Sequence, residues 1–197
     1  MAGVPARTED PRFQLEPATA IARWFLVAVI VLPLIGVLLI PFRDSDPGGT
    51  DPMLLKVYAG IVAVVVLGGV FALLWLAMRR HRLVMDAAGI EVATSFYRRR
   101  LTWPELRLDE AKVVSLDEHP DLKPSLKSNG YALPGFRSGW FRSRRLKKMF
   151  VASAGGDRML WIPTAQGYDL LLQPRSPQPT LQRMRELAAM APRARHR

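Results

Sequence analysis

Positive charge, rather than any paired acid and base, is the feature of this chain most suited to specific chemistry. The densest basic run is Arg142, Arg144, Arg145, Lys147 and Lys148, and Trp140 and Phe141 stand directly before it. Cations beside aromatic rings suit an anionic phospholipid surface, where each Lys or Arg contributes about 1 kcal/mol and a ring wedges into the headgroups. The run also reads as a solvated hairpin loop with the rings turned inward, since strand alternation places at least one of the two inside. Arg98, Arg99 and Arg100 form a second run, read as an exposed turn between strands. Arg79, Arg80 and Arg82 follow an apolar stretch and read as a stop-transfer and topology signal.

Reactive groups are sparse. There is no cysteine, which excludes disulfides, thiolate nucleophiles and Cys-ligated metals. His81, His119 and His196 lie far apart in polar, flexible settings, none with a second metal ligand at helical spacing. Asp117, Glu118 and Asp121 surround His119, which reads either as a solvated loop or as a cation or acid–base site. No nucleophile elbow, phosphate-binding glycine loop or dinucleotide fingerprint is present. The expectation is no catalytic residue, no metal and no cofactor. Nucleic acid is not expected as a partner either. The charge permits it, but no recognition motif or row of stacking aromatics accompanies it.

The elements that carry these residues differ sharply in character. The 197 residues hold 28 Lys and Arg against 17 Asp and Glu, a net charge of +11, yet 49% of residues are apolar. The two populations are kept apart along the chain. Residues 24–42 and 57–78 carry no charge. As helices they reach about 29 and 33 Å, enough for a hydrocarbon core of about 30 Å. A signal peptide does not fit the first stretch: the apolar run is too long, starts late, and leads into Pro41, Phe42 and Arg43 rather than a cleavage site. Pro33 lies mid-span, where a membrane helix tolerates a kink. The linker RDSDPGGTDP reads as a tight polar turn, so the spans are expected to form an antiparallel hairpin. Arg7, Arg12, Arg23, Arg79, Arg80 and Arg82 flank one side and only Arg43 and Lys56 the other, placing both termini in the cytoplasm. Trp24, Phe25, Phe42, Tyr58 and Trp75 lie near span ends, as interfacial aromatics do. Ala59, Ala63, Gly68 and Ala72 read as a helix contact face or as simple filler.

Four parts follow: a polar segment 1–20, expected to be mobile; a hairpin over 21–80; a cytoplasmic domain over 81–191; and a basic tail, 192–197. In the domain the apolar period is 2 more than 3.6. Residues 81–96 read as strand, turn and strand, with Gly89 available for a positive φ. A third strand ends at Trp103-Pro104, and AKVVSL is a short fourth. NGYALPGFRSGWF reads as a bent strand or two short ones. KKMFVAS and RMLWIPT, joined by AGGD, read as the clearest hairpin, and GYDLLLQP as the last strand. Leu181, Met184, Leu187, Ala188 and Ala191 form the apolar stripe of a final helix, with Ser176 or Thr180 as its cap. The expected fold class is α+β: about seven antiparallel strands in a barrel or sandwich, capped by a C-terminal helix and tethered by a two-helix transmembrane hairpin.

That order resembles a pleckstrin-homology-like domain of the bacterial kind, often found behind a two-helix membrane hairpin. The likeness covers residues 82–190. Its most specific stretch holds Tyr131, Pro134, Gly135, Gly139, Trp140 and Phe141, and LTWPEL is similar to a Trp-x-Glu step after the third strand. The resemblance implies a tethered cytoplasmic module at a bacterial inner membrane, with no established catalytic activity. Eukaryotic relatives bind phosphoinositides through basic residues at the first hairpin turn. Here Asp86-Ala87-Ala88-Gly89 carries none, so that ligand is not carried over. The expected function is a non-enzymatic binding or scaffold module, engaging another protein or its own copies through a sheet edge or the groove beside the helix. The alternative is an anionic-lipid reader using the 142–148 loop.

Overall fold

The computed structural model describes residues 10–39 and 52–191. The linker, Arg7, the basic tail and His196 lie outside the described residues. Two helices, α1 (Ala20–Leu39) and α2 (Pro52–Met78), precede nine strands and a final helix, α3 (Pro177–Met190). The fold is α+β with two sheets. β1 (Arg82–Met85), β2 (Gly89–Ala93) and β3 (Arg98–Thr102) form a three-stranded meander. The second sheet contains β4 (Lys112–Ser115), β5 (Pro124–Leu133), β6 (Phe136–Ser143), β7 (Lys148–Ser153), β8 (Arg158–Pro163) and β9 (Asp169–Leu172). Its spatial order is β4-β8-β9-β7-β6-β5.

Among the described residues nine strands replace the expected seven or so, and the expected β7–β8 hairpin does not form. β9 lies between the two, parallel to β7 and antiparallel to β8. All four β9 residues are buried. Leu171 faces one side of the sheet and Leu170 and Leu172 the other. A strand apolar on both faces belongs in the middle of a sheet, so it displaces the local pairing that the AGGD turn suggested. NGYALPGFRSGWF resolves into the end of the ten-residue β5 and most of β6, joined at Pro134-Gly135. Arg98, Arg99 and Arg100 are in β3 rather than in a turn, and all three are exposed.

One core lies between the sheets and under α3: Leu83, Ile90 and Leu101 meet Trp140, Phe150 and Leu170, with Leu181, Met184 and Leu187 closing it. A second covers the opposite face of the large sheet, through Phe141, Met149, Val151 and Met159. α3 buries the predicted stripe, and Ser176 holds the expected cap position but makes no side-chain capping hydrogen bond; the Thr180 hydroxyl donates to the Ser176 carbonyl. Gly89 does not need a positive φ. It is required for space, since a Cβ there would meet the Leu101 carbonyl oxygen at 1.9 Å.

Residues 10–19, expected to be mobile, are part of the domain. Glu16 N–H donates to the Gln173 carbonyl (2.9 Å) and Arg175 N–H to the Gln14 carbonyl (3.0 Å). Leu15 is 3% exposed and joins the main core. The segment then enters α1, capped by the Thr19 hydroxyl, which accepts from Ala22 N–H (3.3 Å) and donates to the Gly135 carbonyl (3.2 Å). Ala18, Ala22 and Leu26 of this segment and of α1 form a third cluster with Met78 at the end of α2 and Phe136 of β6. The start of α1 and the end of α2 thus meet at one end of β6.

α2 is long and apolar enough over Val57–Met78 to cross a membrane. Most of that stretch is exposed, including Ile61, Val64, Val65, Val66 and Leu73, unlike a core helix. In α1 the apolar stretch Ala20–Pro33 is shorter, and residues 40–42 of the expected first span lie outside the described residues.

Candidate functional site: a basic cleft beside the helices

A cleft of about 740 Å³ opens where α2 hands over to β1. Its wall combines the turn after α2 (Arg79, Arg80), the start of β1 (His81, Arg82), and the β2–β3 loop through Ser95 and Phe96. Glu91 and Arg98 close one side as an ion pair, Arg98 Nε donating to Glu91 Oε1 at 2.7 Å. Arg79 stands over the Trp75 ring, 5.9 Å from its centroid. Phe96 is exposed at the loop tip and meets Tyr131 edge-on. The topology residues Arg79, Arg80 and Arg82 are therefore brought into one site by the fold.

His81 differs most from its expected polar, flexible setting. Its ring stacks on Phe136 with centroids 4.6 Å apart. Both ring nitrogens are buried and neither makes a hydrogen bond of ordinary geometry. Burial therefore disfavours the imidazolium and lowers its pKa from 6.5 to about 4, with the nearby Glu16 carbonyl pulling weakly the other way. The Ser95 hydroxyl is likewise buried without a partner, although its N–H donates to Ser138 Oγ (3.2 Å). Nothing in sequence spacing singled out Ser95, because it enters the site through the β2–β3 loop.

A second groove, about 340 Å³, shares Gln14, Arg79 and His81 with the first. It is lined by Pro17, Ala18, Trp75 and Met78, with Arg23 and Arg175 at its rim. Basic cleft and partly apolar groove thus adjoin at these three residues. Gln14 bridges from the N-terminal segment, its side-chain oxygen accepting from Leu83 N–H at 3.4 Å.

The 142–148 loop is elsewhere. It joins β6 to β7 at the end opposite Phe136, about 23 Å along the strand from the helix contacts. Trp140 and Phe141 are both buried, on opposite faces of β6, so neither forms a wedge. A strand covered on both sides hides both alternating rings. The loop's cations are largely engaged. Lys147 Nζ lies 2.9 Å from Oδ1 of buried Asp169, a contact without hydrogen-bond alignment, while Asp169 Oδ2 accepts from Trp161 Nε1 at 3.0 Å. Lys148 and Arg99 sit over the Trp140 ring at 4.4 and 4.8 Å. Arg145 pairs with Asp121, and Arg142 donates to the Leu146 carbonyl (3.1 Å). Leu146 itself is exposed at the tip with φ 62°. A lone carboxylate in an otherwise apolar strand, Asp169, was the sequence signal for this anchoring.

Tyr131 and Gly135 help dock the helices onto the sheet. Tyr131 reaches Met78, and Gly135, at φ 72°, turns the chain under Thr19, whose Oγ1 would lie 2.5 Å from an added Cβ. Pro134 precedes that turn, and Gly139, at φ 109°, leaves room for the Tyr97 ring. Asp117, Glu118 and His119 are exposed, Asp117 pairs with Lys123, and no group able to hold a metal ion occurs among the described residues. Compared with known proteins, the chain matches no family model, no curated protein and no solved structure.

Proposed function

We propose that this chain is a membrane-tethered, non-enzymatic binding module. In this reading α1 and α2 form a two-span hairpin in a bacterial cytoplasmic membrane, both termini are cytoplasmic, and the α+β part is a pleckstrin-homology-like domain held against the inner face. The observation that carries it is the threading of residues 10–19 into the domain that follows α2. Chain on either side of the helix pair is tied into one body, which an even number of spans accommodates and a single span does not.

The partner is a protein, or a second copy, met at the end of the domain farthest from the helices. There Arg144 and Leu146 are exposed at the tip of the β6–β7 hairpin. The sheet edges are poorer candidates. β5 begins at Pro124, carries Lys127 and is interrupted by two register shifts, features that discourage strand addition. At the other edge, α3 ties down the chain leading into β4, Arg185 donating to the Leu108 and Ala111 carbonyls. The distance of the 142–148 loop from the helices speaks against its reading a lipid surface.

Reporters fused to each terminus, with a photo-crosslinking residue at 146, test the proposal. Cytoplasmic activity of both reporters is expected, with a protein adduct at 146 that Arg144→Glu abolishes. A reporter active outside the cell, or adducts to lipid alone, would sink it.

A further inference from the structure

We infer that the juxtamembrane cleft is a phosphate-group site for the headgroup of an anionic phospholipid drawn from the adjoining leaflet. Three observations converge there. First, Arg79 and Arg80 line the cleft beside Arg98, whose partner Glu91 is the one carboxylate among the described lining residues. Guanidinium forks match phosphate oxygens bidentately, so arginines gathered on one wall suit an anion. Second, four buried side-chain polar atoms among the described residues lack a hydrogen bond, and three of them are the His81 nitrogens and Ser95 Oγ. Buried polar atoms are normally satisfied, so their concentration in one cleft marks where a ligand completes the set. Ser95 is 2% exposed and presents a donor to an incoming phosphate oxygen.

Third, the cleft adjoins the groove lined by Trp75, Met78 and Pro17. That groove lies at the end of the exposed apolar face of α2. A free phosphate uses only the basic half, whereas a phospholipid uses both, with its glycerol and acyl portion against Trp75 and Met78. Phe96, at the rim and 51% exposed, is placed to lie among the headgroups. The 86–89 turn, without a cation, takes no part.

The inference rests on the proposed membrane topology but reads out separately from it. Intact protein in neutral detergent is offered phosphatidylglycerol, phosphatidylcholine or inorganic phosphate, and retained lipid is counted by native mass spectrometry. Phosphatidylglycerol should be retained on the order of tenfold over phosphatidylcholine, and that preference should vanish in Arg80→Gln/Arg98→Gln. Ser95→Ala, which removes one hydroxyl without disturbing the charge, should weaken retention severalfold. Arg144→Gln at the distant loop should leave it unchanged. In the lipid-loaded protein the His81 ring should titrate at higher pH than in the lipid-free protein, as a nearby anion favours its cation. Equal retention of the two lipids, a preference that survives Arg80→Gln/Arg98→Gln and Ser95→Ala, or full displacement by millimolar phosphate would each overturn it. If headgroup preference is lost while both reporters stay cytoplasmic, only the cleft assignment fails.

Discussion

Two side chains, His81 and Asp169, carry electrostatic consequences that can be measured directly. Unfolded, the His81 imidazole takes up a proton near pH 6.5; folded, only near pH 4. The folded chain therefore binds fewer protons between those values, and stability rises with pH across the window. Its contribution is complete above about pH 6.5 and is lost as pH falls towards 4, a change of about 3 kcal/mol. Chemical denaturation at pH 7 and pH 4.5 should show this loss, and His81→Phe, which keeps the stack on Phe136, should flatten it. Asp169 depends on Lys147 and on the Trp161 indole. Lys147→Met removes the cation and leaves the buried carboxylate uncompensated, a destabilisation of about 1–3 kcal/mol once the lysine's half-exposure is allowed for. The double variant Lys147→Met/Asp169→Asn should recover part of it. Denaturant midpoints of the three proteins check this.

Among the elements, the N-terminal segment does more than precede a helix. Leu15 sits in the main core and bridges to Pro174, just ahead of α3. Leu15→Ala should cost about 2–4 kcal/mol, and limited proteolysis should then cut near residue 15 while leaving the sheets intact. The β5–β6 turn fastens the helices to the sheet through Gly135 and Thr19. Gly135→Ala combines a left-handed backbone with a clash at 2.5 Å, so it should loosen that attachment. Hydrogen exchange is expected to quicken at Thr19 to Ala22 and to stay unchanged in β7–β9. The paired strands also explain which expectations failed. The AGGD turn is a sound local hairpin signal, but β9, buried throughout with leucines on both faces, has nowhere else to go.

Taken together, the molecule is polar in its distribution of tasks. The helices and the basic cleft lie at one end of β6, and the 142–148 hairpin at the other. Salt should separate them. Retention of an anionic headgroup by the cleft would rest on screened charges and should weaken between 50 and 300 mM salt. The thermal midpoint of the domain rests on buried apolar clusters and should move little over the same range. Measuring both on one preparation tests the division: parallel loss of stability and retention would mean that the arginines hold the fold together.

Most strand positions, the final helix and its stripe, the second of the two expected apolar spans and the α+β class were readable from the residues, because alternation and helical period are local properties of the chain. The burial of both Trp140 and Phe141 was half readable: alternation guarantees one ring inside, but only a second covering layer hides the other. The placement of β9, the folding-in of residues 10–19 and the meeting of Arg79, Arg80 and Arg82 with Ser95 and Phe96 were not readable. Each depends on contacts between segments distant in sequence, and those are chosen by which arrangement buries every apolar face at once, a condition that no single stretch of residues expresses.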